Sequence, residues 1–279
     1  MALWYSLVEY ILPFEWASHM FMKNALLAVI LVTPIFGILG TMVINNKMAF
    51  FSDALGHSAL TGIAIGVILG ISNPLWSMIG FSMIFSLGIT VFKNVNKSST
   101  DTTIGVFSST AIALGIVILS RGGGFNKYSI YLIGDLLSIK PSEILLLAII
   151  LILVIAFWVL TFNKLLLVSI NQSLAHSRGI NIRLIEILFT SIIALIVTIS
   201  IQWVGLLIIN SLLVLPAAAA RNFAKNVRQY HVMSIAIAIV SGISGLIASY
   251  YFGTATGATI ILISAIFYII TFVMKLKFN

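Results

Sequence analysis

The chain contains no cysteine, which excludes thiolate metal ligation, CxxC redox chemistry and a disulfide framework. Any metal it meets is bound by nitrogen and oxygen donors. Charge is also scarce: 8% of the 279 residues are charged and 61% are hydrophobic, too apolar a balance for a soluble globular domain. Catalytic signatures are missing too. There is no GxxxxGK[ST] phosphate loop, so the chain does not itself hydrolyse ATP, and neither HExxH nor GxSxG occurs. The Gly134-Asp135 pair suggests an intramembrane aspartyl protease, but Leu132 stands where that signature needs glycine.

What remains is long apolar runs, which read as spanning helices rather than the short alternating segments of a barrel. The fold class is all-α, a polytopic transmembrane bundle. Nine segments are long enough, at about 20 residues per span: 25–44, 48–71, 74–92, 103–120, 141–162, 184–202, 204–220, 231–252 and 257–274. Tight turns between several of them leave eight spans as an alternative count. Residues 1–24 carry Glu9 and Glu15 and no basic leader, so they read as an interfacial lead-in anchored by Trp4, Tyr5 and Trp16. Residues 25–279 form the membrane domain. The segment near 128–138 is too short to cross and predicts a re-entrant or interfacial half-helix. The polar stretch 163–183 suits a short cytoplasmic docking helix.

The net charge is +8, yet the basic residues sit at the ends of apolar runs rather than in a nucleic-acid-binding stripe. Lys47, Lys93, Lys97, Lys164, Arg178, Arg183, Arg221, Lys225, Arg228, Lys275 and Lys277 fall on one side; Lys23, Arg121, Lys127 and Lys140 fall on the other. Positive residues favour the cytoplasm, which places the C-terminus inside.

The most informative stretch is 52–70, an apolar run containing Asp53 and His57. Four residues apart on a helix, the two lie about 40° apart around the axis and project from one face. They could share one cation, or the aspartate could simply hydrogen-bond the imidazole. An aspartate at a span centre costs roughly 2.5–3.5 kcal/mol on insertion scales, so Asp53 needs a partner or a cavity. Beside the pair, Ala54, Ser58, Gly62, Gly66 and Gly70 recur every four residues and predict close approach of a neighbouring helix. Asn210 and Ser211 offer further polar groups, either for helix-to-helix hydrogen bonds or for a pathway. Asp135 suits a helix end or an outer vestibule, or else a further ligand. Glu186 is expected in the first turn of its span, complementing the helix dipole. His19, His176 and His231 are expected to be solvated.

The strings MAFFSDALGHSALTGIAIG, YLIGDLL, SLAHSRGINIRLIEIL and VGLLIINSLLVLPAAAARNFAKNV, in this order, resemble the zinc and manganese ABC-transporter permeases from about residue 25 to the C-terminus. The resemblance implies a homodimer in a prokaryotic cell membrane, cytoplasmic ABC ATPase subunits, an extracytoplasmic metal-binding protein and no nucleic acid. It implies transported Zn²⁺ or Mn²⁺ and no permanently bound cofactor. Asp53 and His57 would lie on the metal pathway, with Asp135, Asn210 and Ser211 as secondary candidates. Within the loop 174–183, Leu174, Ala175, His176, Ser177, Arg178, Gly179, Ile180 and Asn181 would couple to the ATPase. Thr61 departs from many relatives, which carry proline there. The alternative is a stand-alone secondary transporter driven by protons through Asp53 and His57.

Overall fold

The computed structural model describes residues 2–95, 99–121, 134 and 136–278. Lipid offers the backbone no hydrogen bonds, so the chain must satisfy its own. Among the described residues it does so through helices, with no strand. Helix α1 (Ala2–Ile11) and the single turn α2 (Glu15–Ser18) lead into α3 (Met20–Asn45), α4 (Phe51–Ile68), α5 (Pro74–Val95) and α6 (Thr100–Arg121). A 3-10 turn at Leu136–Ser138 precedes α7 (Pro141–Ile170), and α8 (Gln172–Ser177) and α9 (Ile182–Val204) come next. The chain ends with α10 (Leu206–Arg221), α11 (Val227–Phe252) and α12 (Thr256–Phe278).

Eight of these helices are long and apolar enough to cross a membrane. The ninth expected segment becomes α10, which has 16 residues and is about 24 Å long, short of the roughly 30 Å hydrocarbon core. Gly205, at φ +83°, ends α9 and separates it from α10. A backbone at that angle is left-handed, where a side chain would clash. Most of the half-helix expected near 128–138 lies outside the described residues. The stretch 163–170, read from sequence as the start of a loop, instead continues α7 to Ile170.

The chain divides into two compact units. One comprises Met1–Thr41, Asp135–Ala156 and Ser211–Asn279. In it α11 and α12 pack together, and Ser234 Oγ on α11 donates to the Gly37 carbonyl of α3 at 2.7 Å. Helix α1 is fastened to the start of α3. Trp4 Nε1 donates to the Lys23 carbonyl at 3.0 Å, and Tyr5 Oη donates to Asn24 Oδ1 at 2.8 Å. The Lys23 ammonium pairs with Glu9 and stands 5.8 Å from the Tyr5 ring centroid. Trp4 and Tyr5 therefore hold protein, and Trp16 is buried. Leu3, Leu7, Tyr10 and Ile11 are the exposed face instead, spaced as one stripe of a helix.

The other unit comprises Met42–Gly134 and Phe157–Asn210. Here α4 packs against α5, α6 and α9. The small-residue row faces α5: Ser58 Oγ lies 3.1 Å from Ser82 Oγ. At Gly62 a Cβ would come within 2.8 Å of the Ser77 carbonyl oxygen and 2.9 Å of Met78 Cα. Only glycine lets the two backbones approach so closely. The next edge of α4 faces α6, where Thr61 Oγ1 donates to the Ala111 carbonyl at 2.5 Å.

Candidate functional site

Asp53 lies in the first turn of α4 and His57 one turn further on. Their nearest atoms, Asp53 Oδ2 and His57 Nε2, are 3.5 Å apart, longer than a good hydrogen bond. Because both sit on one helix, the contact fastens no second helix. A tetrahedral ion with bonds of 2.0–2.2 Å separates adjacent donors by about 3.4 Å. The pair is therefore spaced to hold one such ion between carboxylate and imidazole. Neither side chain is sealed in protein: Asp53 is 47% exposed and His57 23% exposed, so further donors can approach.

Asn210, on the second turn of α10, is a further residue of this unit at the pair. Its Nδ2 donates to Asp53 Oδ1 at 2.8 Å. With one carboxylate oxygen held, the other is left facing His57. The amide's own Oδ1 is buried and has no hydrogen-bond partner, an arrangement that typically costs about 1–3 kcal/mol. A cation or an ordered water would satisfy it. The sequence offered Asn210 either as helix glue or as a pathway residue. The structure makes it a tether between α10 and the aspartate itself. Ser211 belongs to the other unit and, one residue on, is rotated by about 100° around the helix. Asp135 lies outside the described residues. Among the described residues no group of three or more His, Asp or Glu side chains is gathered as a metal centre.

The loop after α7 is built from local caps. Asn171 Oδ1 accepts from Leu174 N at 3.0 Å and opens α8. Gly179, at φ +72°, turns the chain out of it, with Ile180 N donating to the Ala175 carbonyl at 3.1 Å. Asn181 Oδ1 then accepts from Leu184 N at 3.1 Å and opens α9. Ala175 is fully buried and anchors α8, while Leu174, His176, Ser177, Arg178 and Gly179 are exposed. A recess of about 500 Å³ lies against His176, Gly179, Ile180, Asn181, Ile182 and Arg183. Local hydrogen bonds at both ends thus define the outline of the turn.

Other titratable residues fall differently from expectation. Glu186 lies beyond the first turn of α9, is 8% exposed, and pairs with Lys93 of α5 at 3.4 Å. It is an interior ion pair rather than a dipole partner. His231 is buried rather than solvated, because it falls on the packed face of α11. His19 is exposed, as expected, and stacks on Phe21 while meeting Tyr250 at a tilt. Sequence spacing held no signal for the Glu186 pair, since Lys93 is 93 residues away.

Comparison with known proteins sets this geometry in context. The chain is 33% identical over 249 residues to the high-affinity zinc uptake system membrane protein ZnuB of Haemophilus influenzae, covering 88% of this chain and 95% of that protein. It is 30% identical to the manganese import system permease protein ScaB of Streptococcus gordonii, covering 92% of each. Among solved structures, PsaBC from Streptococcus pneumoniae in complex with Fab superposes with a TM-score of 0.79 at 26% identity, over 98% of this chain and 95% of that one. The ABC 3 transport family matches residues 18–275, which takes in the α4 pair, Asn210 and the capped α8 turn, and the chain is a multi-pass membrane protein of that family.

Proposed function

We propose that this chain is the membrane-spanning subunit of an ATP-driven importer for a divalent transition metal, Zn²⁺ or Mn²⁺. The observation that carries this reading is the Asp53–His57 pair, set at the spacing of two ligands of one ion on the helix that α5, α6 and α9 surround. The carboxylate favours a cation over an anion, and neutral imidazole suits first-row metals. Two donors do not fill a coordination sphere. Asn210 Oδ1, water, or the same pair from a second copy in a homodimer would supply the rest. Asp135 and Ser211 remain proposed secondary pathway residues.

The exposed side of α8, from Leu174 to Asn181 with its neighbouring recess, is the docking element for a separate cytoplasmic ATPase. Arg178 and Arg183 put it on the basic side of the membrane, as is the C-terminus with Lys275 and Lys277. A binding protein would deliver the metal from the opposite side. The proton-driven secondary transporter loses its ground, because membership of an ABC transport family supplies another energy source.

The test is uptake of radiolabelled Zn²⁺ and Mn²⁺ by cells carrying Asp53→Ala or His57→Ala. Both variants should assemble with the ATPase at normal levels and accumulate neither metal. Normal uptake of both metals in both variants would overturn the reading.

A further inference from the structure

Glu186 receives two cationic or amide donors from two other segments of its unit. Lys93 Nζ, near the end of α5, lies 3.4 Å from Glu186 Oε1. Gln172 Nε2, at the first position of α8, lies 3.5 Å from the same oxygen. The carboxylate is thus the point where α8, α9 and α5 are joined. One turn along the same seam, Thr90 Oγ1 of α5 lies 2.9 Å from Thr190 Oγ1 of α9. Helix α5 is in turn bonded to α4 through Ser82 and Ser58, and Ser58 follows His57 directly. These contacts, joined through the backbone of α5, link α8 to the helix that carries the metal pair.

The electrostatics suit a rigid joint. With its side chain 10% exposed, Glu186 is largely removed from water, and Lys93 is 20% exposed. In such surroundings the attraction is little screened by salt, and loss of either partner leaves a buried charge poorly compensated. An apolar contact at this place would hold the helices together but would let them slide. A shared carboxylate brings three segments to one oxygen, through contacts of 3.4 and 3.5 Å at the long end of hydrogen bonding.

We propose that Glu186 is a positioning residue that transmits displacement of α8 to α5 and α9, and through them to the metal-bearing α4. The proposal rests on the importer reading above, in which α8 meets the ATPase. Its signature is the quantity of metal moved per ATP hydrolysed, which a residue that only stabilises the fold leaves unchanged in correctly assembled complexes.

The experiment reconstitutes the full complex, with ATPase and binding protein, in proteoliposomes and measures Zn²⁺ or Mn²⁺ uptake and ATP hydrolysis in parallel. Glu186→Gln and Lys93→Met should keep hydrolysis within about twofold of the unmodified complex while uptake per ATP falls about tenfold, a coupling loss in the usual range for such contacts. The charge-reversed double variant, Glu186→Lys with Lys93→Glu, should recover part of that ratio. Gln172→Ala removes only the exposed α8 contact; it should lower the ratio as well, and it serves where a charge variant fails to assemble. An unchanged uptake-to-hydrolysis ratio in Glu186→Gln, or in Gln172→Ala, overturns the proposal. An unmodified complex that hydrolyses ATP and moves neither metal overturns the importer reading instead.

Discussion

At Asp53 a single hydrogen bond decides which oxygen is available. Asn210 occupies Oδ1, so Oδ2 is the atom presented beside His57. Removing a partner that orients a metal ligand commonly costs 10–100-fold in affinity. Asn210→Ala should therefore raise the metal concentration needed for half-maximal uptake by about that factor, while Asp53 and His57 remain in place; metal titration of uptake checks this. A doubly protonated imidazole has no lone pair left for a metal, so protons and the ion compete for the ring. Uptake should fall as the medium is acidified, with ATP hydrolysis by the isolated ATPase as the control for general inactivation. A profile equally flat in the unmodified protein and in His57→Gln would show that the imidazole does not take part.

Between elements, fit is set by small groups. Gly62 brings α4 against the backbone of α5, and a larger residue has nowhere to go, since the nearest atoms are main chain. Gly62→Leu should destabilise the protein by about 1–3 kcal/mol, read as a lowered thermal unfolding temperature in detergent. The Ser58–Ser82 hydrogen bond is a smaller term. A double-mutant cycle with alanine should give a coupling near 0.6 kcal/mol, the average for such bonds between membrane helices. The helices themselves were legible in the sequence, because lipid makes composition a direct report of what is buried in the membrane. The small-residue row likewise announced a close neighbour, without naming α5. The end of α7 was misread at Asn163 and Lys164. Long polar side chains can reach out from an apolar helix without ending it, and α7 continues to Ile170. The partners that complete the sites were not legible. Asn210 lies 157 residues from Asp53, and Lys93 lies 93 from Glu186, and a pairing over that distance leaves no local pattern in a single sequence.

For the molecule as a whole, the proposed importer divides the labour: this chain would guide the ion and a separate ATPase would supply the energy. Proteoliposomes holding this chain alone should take up no metal under a pH gradient, whereas adding the ATPase, the binding protein and ATP should restore uptake. Robust proton-driven uptake by the chain alone would reverse that division. A different consequence follows from the clasp between α1 and α3. Glu9 and Lys23 are 14 residues apart, and Tyr5 and Asn24 are 19 apart, so every group in the clasp has been synthesised before α4 exists. Contacts this local form early, and N-terminal segments fold first as a chain is made. The clasp can therefore close while the later helices are still being made. Deleting residues 2–11 should therefore reveal itself as poor insertion and rapid degradation of newly made protein, seen in a pulse-chase, and not as a slower transporter.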